Sequence, residues 1–108
     1  MGTGWIAAFS FPETWEDLRD GAVQQEVREW LSVELRRELA IMHPLSAANW
    51  QIVARSVARD DVIVSLDDST AGIVHLTYTP TPPESVPWPE SVTFDSAEDL
   101  RFELNLRD

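Results

Sequence analysis

Asp60-Asp61-Val62-Ile63-Val64-Ser65-Leu66-Asp67-Asp68 is an apolar run with two aspartates at each end. Val62, Val64 and Leu66 recur at every second position, which predicts a strand over 62–66 with those three on one face. The aspartates read as its wet ends, since Asp bonds its own backbone in turns and keeps strand termini in water. The competing reading is a cation site, where several oxygens must converge on one point. Five strand residues at about 3.3 Å each hold the two pairs about 17 Å apart. Four carboxylates so spaced cannot share one ion, and residues 67–72 lack the calcium-loop pattern. No metal and no other cofactor is expected.

On either side of this run the period is also two. Residues 50–57 read as a strand, and so do residues 73–79. In the latter, Val74, Leu76 and Tyr78 share one face, and Ile73, His75 and Thr77 the other. Arg59-Asp60 and the polar stretch 67–72 are hairpin-length connections. Three antiparallel strands in sequence order follow, and Val92-Thr93-Phe94 adds a short fourth at an edge.

Upstream the period becomes helical. Val23, Val27, Leu31, Leu35 and Leu39 recur every fourth residue, with Trp30 widening the stripe, and predict a helix over 22–41. Glu34 and Glu38 flank that stripe. Pro44 disfavours helical backbone at His43, so the helix ends before it, and His43 is expected to close the helix end. Ser10-Phe11-Pro12-Glu13 has the form of a capping box with proline in the first turn, and predicts a short helix through Trp15 and Leu18 to about Gly21. Downstream, residues 79–89 carry five prolines and read as a stiff extended loop. Asp95-Ser96-Ala97-Glu98 looks like a helix N-terminus with an acidic first turn. The tail is therefore expected to be a helix starting at Ser96, although Leu100, Phe102, Leu104 and Leu106 also alternate. The fold expected is α+β: N-terminal helices on a three- to four-stranded antiparallel sheet, with a short C-terminal helix. One face of the sheet must be covered, and the long helix has the matching stripe.

With 108 residues, one domain over 1–108 is the natural expectation. The chain has no cysteine, which excludes disulfides and thiol chemistry and fits a reducing cytoplasm. No stretch reaches the length of a membrane span. Nineteen acids face eight bases, all arginine, for a formal net charge of −11. Such a surface repels phosphates and anionic lipid, so direct binding to nucleic acid or membrane is not expected. It attracts basic proteins and speeds association with them.

Candidate site residues fall into two sets. For partner binding, Trp88 stands between Pro87 and Pro89, a rigid aromatic suited to anchor an interface. Trp5, Asp60, Asp61, Asp67 and Asp68 complete that set. Trp15, Trp30 and Trp50, with periodic apolar neighbours, read as core. For a ligand or enzyme site, His75 would be the base, oriented by Asp61, with Ser65 or Thr77 nearby. No nucleophile elbow, phosphate loop or metal-binding His pair accompanies it, and a sheet histidine more often makes one structural hydrogen bond.

The order His43-Pro44-Leu45, Val53-Ala54-Arg55, Asp60-Asp61-Val62, Val74-His75-Leu76-Thr77-Tyr78 and Trp88-Pro89 before Phe94-Asp95-Ser96 resembles a group of small bacterial proteins of unassigned function. The likeness covers about residues 43–100. It implies a small α+β domain with a curled antiparallel sheet and no known cofactor, and it transfers no catalytic residue. By analogy of size and charge, small acidic proteins of this sort include immunity and inhibitor proteins for a basic toxin or enzyme. Pairing of two copies through a sheet edge or the Trp88 loop is a third arrangement that fits the sequence.

Overall fold

The computed structural model describes residues 4–67, 69–86 and 88–107. In chain order these form α1 (Trp5–Ala8), β1 (Trp15–Asp17), α2 (Ala22–Glu38), β2 (Gln51–Ser56), β3 (Asp61–Ser65), β4 (Ala71–His75), β5 (Ser91–Phe94) and α3 (Ala97–Arg107). The strands make one open antiparallel sheet in the order β1-β2-β3-β4-β5. The class is α+β as expected, but the sheet has five strands, not three or four.

The additional strand is β1, where a short helix was expected. The Trp15 N–H bonds the Pro12 carbonyl in a turn, and Trp15–Asp17 then pair with Ser56, Arg55 and Ala54. Ser10 and Glu13 are exposed, and no capping box forms. Tertiary burial overrides the local signal: as a strand, this segment sinks the Trp15 indole into the core.

Both faces of the sheet are covered. Leu31 and Leu35 of α2 pack with Trp50, Ile52, Val62, Val64, Val74 and Leu76 on one face. On the other, Ile6, Phe9, Leu100 and Leu104 pack on Val53, Ile63, Ala71 and Ile73. A strand covered on both sides reads as a continuous apolar run, which is what Val62-Ile63-Val64 is. Val53 is an extra residue in β2: the register passes from Ile52 opposite Val64 to Ala54 opposite Ile63. This bulge turns Ile52 and Ala54 to opposite faces. The Val53 carbonyl accepts the Leu18 N–H at 2.9 Å.

Gly21 opens α2 at φ 99°, a conformation that side chains resist. The helix ends at Glu38, three residues before the expected limit. Its buried stripe is Leu31, Leu35 and Glu38, with Val27 and Leu39 half-buried and Val23 exposed. Two expectations are thereby corrected. Trp30 is 58% exposed and lies outside the core, because Leu31 and Leu35 occupy the line facing the sheet. Glu38 lies on that line, not beside it. Trp15 and Trp50 are buried as expected. At the C-terminus the helical reading holds: the Ser96 hydroxyl accepts the Asp99 N–H at 3.1 Å and caps α3. No described helix is long and apolar enough to cross a membrane.

Candidate functional site

The β3–β4 register sets Asp61 directly opposite His75, on the face covered by α3. Asp61 Oδ1 lies 2.8 Å from His75 Nδ1. Asp61 is not a wet strand end: its side chain is 4% exposed, while that of His75 is 51% exposed. Asp61 Oδ2 also accepts from Arg107, in the last turn of α3, at 3.4 Å. Arg107 in turn pairs with Glu103 at 3.0 Å, and its carbonyl accepts from Arg59 at 3.4 Å. Because Asp61 takes the Nδ1 proton, a neutral His75 presents its lone pair on Nε2.

A cleft of about 840 Å³ opens beside this pair. His43, Asp60, His75, Trp88, Glu90 and Arg107 are among its walls. The second histidine is buried and builds the rim. His43 Nδ1 accepts the Leu45 N–H at 3.0 Å, which leaves the proton on Nε2 to bond the Pro89 carbonyl at 2.8 Å. The expected role at the helix end is therefore corrected: α2 has already stopped, and His43 clamps the loop after it to the Trp88-Pro89 segment. The Trp88 N–H bonds the Ser85 carbonyl at 2.9 Å, and the residue is 42% exposed.

The structure thus brings together Asp60, Asp61, His75 and Trp88. It places the other candidates elsewhere. Ser65 pairs with Ala71 at the far end of β3, about 13 Å of strand from Asp61. Thr77 has its hydroxyl on Glu38 Oε1 at 3.1 Å. Neither Ser65 nor Thr77 is hydrogen-bonded to His75. Trp5 bonds the Ser69 carbonyl through its indole N–H at 2.8 Å and meets Phe9 edge-on. Asp67 closes its own turn by accepting the Ser69 N–H at 2.8 Å, a bond that holds its carboxyl below the usual range. Both lie at the opposite end of the sheet from Trp88. Asp68 lies outside the described residues. Among the described residues, no group of three or more His, Asp or Glu side chains could hold a metal ion.

A second cluster went unseen in the sequence. Glu38 is fully buried at the end of α2. Its Oε1 accepts the Thr77 N–H at 2.9 Å, and Oε2 accepts the Tyr78 N–H at 2.9 Å. Burial, and then a hydrogen bond with Glu34, push its carboxyl above the usual value; the Thr77 and Tyr78 bonds oppose them. Glu34 is held low: its hydrogen bonds with Glu38 and Arg37 outweigh burial. Tyr78 sits at φ 51°, rare for a side-chain-bearing residue. Its phenol is raised by burial and by Asp60, Glu34 and Glu38 around it. The available signal was the position of Glu38 seven residues after Leu31, which is the core line itself.

Comparisons with protein-family models, with curated proteins and with solved structures return no match for this chain.

Proposed function

We propose that the protein is a binding module for a basic protein partner, of the inhibitor or immunity type, and that the cleft beside β3 and β4 is its docking face. One observation carries this reading: Trp88 stands half-exposed on a rim that His43 clamps in place, beside Asp60 and Glu90. A rigid aromatic next to carboxylates suits a cationic side chain of the partner. The charge of −11 supports it, since such a field draws in basic proteins over distance. The test is capture of a basic protein from the native host on the immobilised chain, repeated with Trp88→Ala after its fold is verified. Faster dissociation from the variant is expected. Unchanged dissociation from a folded variant would remove the cleft from the interface.

The Asp61–His75 pair favours a second reading, a ligand pocket in the same cleft in which His75 Nε2 accepts a proton or hydrogen bond. The two readings separate by substitution. A ligand pocket requires His75, so His75→Ala would abolish binding of a small molecule while protein capture survived.

A further inference from the structure

Trp30 of α2 and Tyr78, on the chain leaving β4, form a ring pair. Their ring centroids are 6.2 Å apart and the planes are inclined at 31°. Trp30 is 58% exposed and Tyr78 39%. The pair is fixed from beneath, since the bond from Tyr78 N–H to Glu38 holds its unusual backbone. Arg37 bonds the Thr79 carbonyl at 2.9 Å and steadies the next residue. An exposed ring pair with one member, Tyr78, on a backbone held in a rare conformation suits a binding role better than a packing one.

Carboxylates stand near the pair. Glu26 and Glu34 lie one helical turn to either side of Trp30. A concavity of about 340 Å³ beside Tyr78 has Asp60 and Arg55 in its walls. Three nearby arginines are engaged, Arg37 with Glu34 at 2.9 Å, Arg55 with Glu16 at 2.8 Å, and Arg28 with the Leu18 carbonyl; Arg59, also in the wall of that concavity, reaches the Arg107 carbonyl at 3.4 Å. Elsewhere the chain sets its own guanidinium groups over its aromatic rings, Arg19 on Phe11, Arg36 on Trp50 and Arg101 on Phe9, at 4.6–5.2 Å. Among the described residues, neither ring of the Trp30–Tyr78 pair has such a cation.

We infer that the Trp30–Tyr78 pair is a second docking point for the basic partner, and that it takes an arginine side chain. This rests on the protein-binding reading, though on different residues. A guanidinium is planar and weakly hydrated, so it stacks on indole and phenol faces while its N–H groups meet carboxylates at the edge. A lysine ammonium gives the charge without the stack. Arg59, Asp60 and Asp61 line both this concavity and the Trp88 cleft, so one partner surface can span the two.

The test is a titration of the isotope-labelled chain with capped hexa-arginine and hexalysine peptides at near-physiological salt, following the indole N–H signals of Trp30 and Trp88. Hexa-arginine is expected to bind about two- to fivefold more tightly than hexalysine, the value of an exposed cation–π contact. That preference should be read at the Trp30 signal, and Trp30→Ala, at an exposed position, should remove it. Equal affinity for the two peptides would overturn the inference, as would a preference that survives Trp30→Ala. So would a concentration-dependent dimer that covers Trp30 without peptide. A response at Trp88 with none at Trp30 would sink this inference and leave the cleft standing; the reverse would remove the cleft and leave this site.

Discussion

Glu38 Oε2 accepts the Tyr78 N–H at 2.9 Å, and this bond ties the end of α2 to the chain leaving β4. It has a pH signature. Burial raises the Glu38 carboxyl above its ordinary 4.5, so the folded chain holds that proton more tightly than the unfolded chain. The stability this supplies is complete below the ordinary value and is lost as pH rises through the raised one. Glu34, lowered, runs the other way: its contribution is present above the ordinary value and is lost as pH falls through the lowered one. Urea unfolding across the range above the ordinary glutamate value should show wild type losing stability with rising pH. Glu38→Gln, with no carboxyl to titrate, should lose less over the same range. It should also be weaker throughout by about 1–3 kcal/mol, because its amide nitrogen meets a backbone N–H. Parallel pH profiles would contradict this account of Glu38.

Leu35 and Val23 belong to one sequence stripe but to different environments. Leu35 is fully buried and Val23 is exposed. Leu35→Ala should cost about 2–5 kcal/mol in denaturant unfolding, and Val23→Ala less than about 0.5 kcal/mol. Similar losses at the two positions would mean that α2 is rotated from the orientation described.

That contrast shows what the sequence carried. Period two at 62–66 and the Ser96 cap located β3 and α3, because burial on a pleat and an explicit N-cap are local signals, whereas the strand expected over 73–79 shares only 73–75 with β4, which begins at Ala71 and ends at His75. Trp15 misled, because a capping-box pattern is local while pairing with residues 54–56 is not. Asp61 was half-read. It was named only as the group that would orient His75; the register that sets the two opposite each other, where Val64 or Ser65 was expected, was not read, and Arg107 arrives from 46 residues away. Glu38 was missed because a carboxylate on an apolar line is accommodated only when distant N–H groups meet it, and Thr77 and Tyr78 are 39 and 40 residues downstream.

Asp61 and Asp67 bound the same strand and should differ sharply. Asp61→Ala leaves Arg107 and His75 without their buried acceptor and should cost about 1–3 kcal/mol. Asp67→Ala loses only an exposed turn bond and should cost clearly less. Thermal or urea unfolding of the two variants checks this, and equal losses would contradict the role of Asp61 as a buried acceptor.

The purified chain should not bind DNA or RNA. Neutralising phosphates needs clustered cations, and Arg19, Arg37, Arg55 and Arg107 are each paired with a carboxylate. A mobility shift with the protein alone at near-physiological salt would overturn this.

The central proposal is that an acidic field draws in a basic protein and Trp88 holds it. These two parts act on different rates. The most direct measurement is the association and dissociation kinetics of wild type and folded Trp88→Ala with the basic protein captured from the native host, at low and high salt. Raising salt about tenfold should slow association of both by about tenfold or more, through screening. Trp88→Ala should dissociate faster, with a loss of about 2 kcal/mol or more in affinity. Salt-insensitive association, together with unchanged dissociation from the variant, would contradict the account.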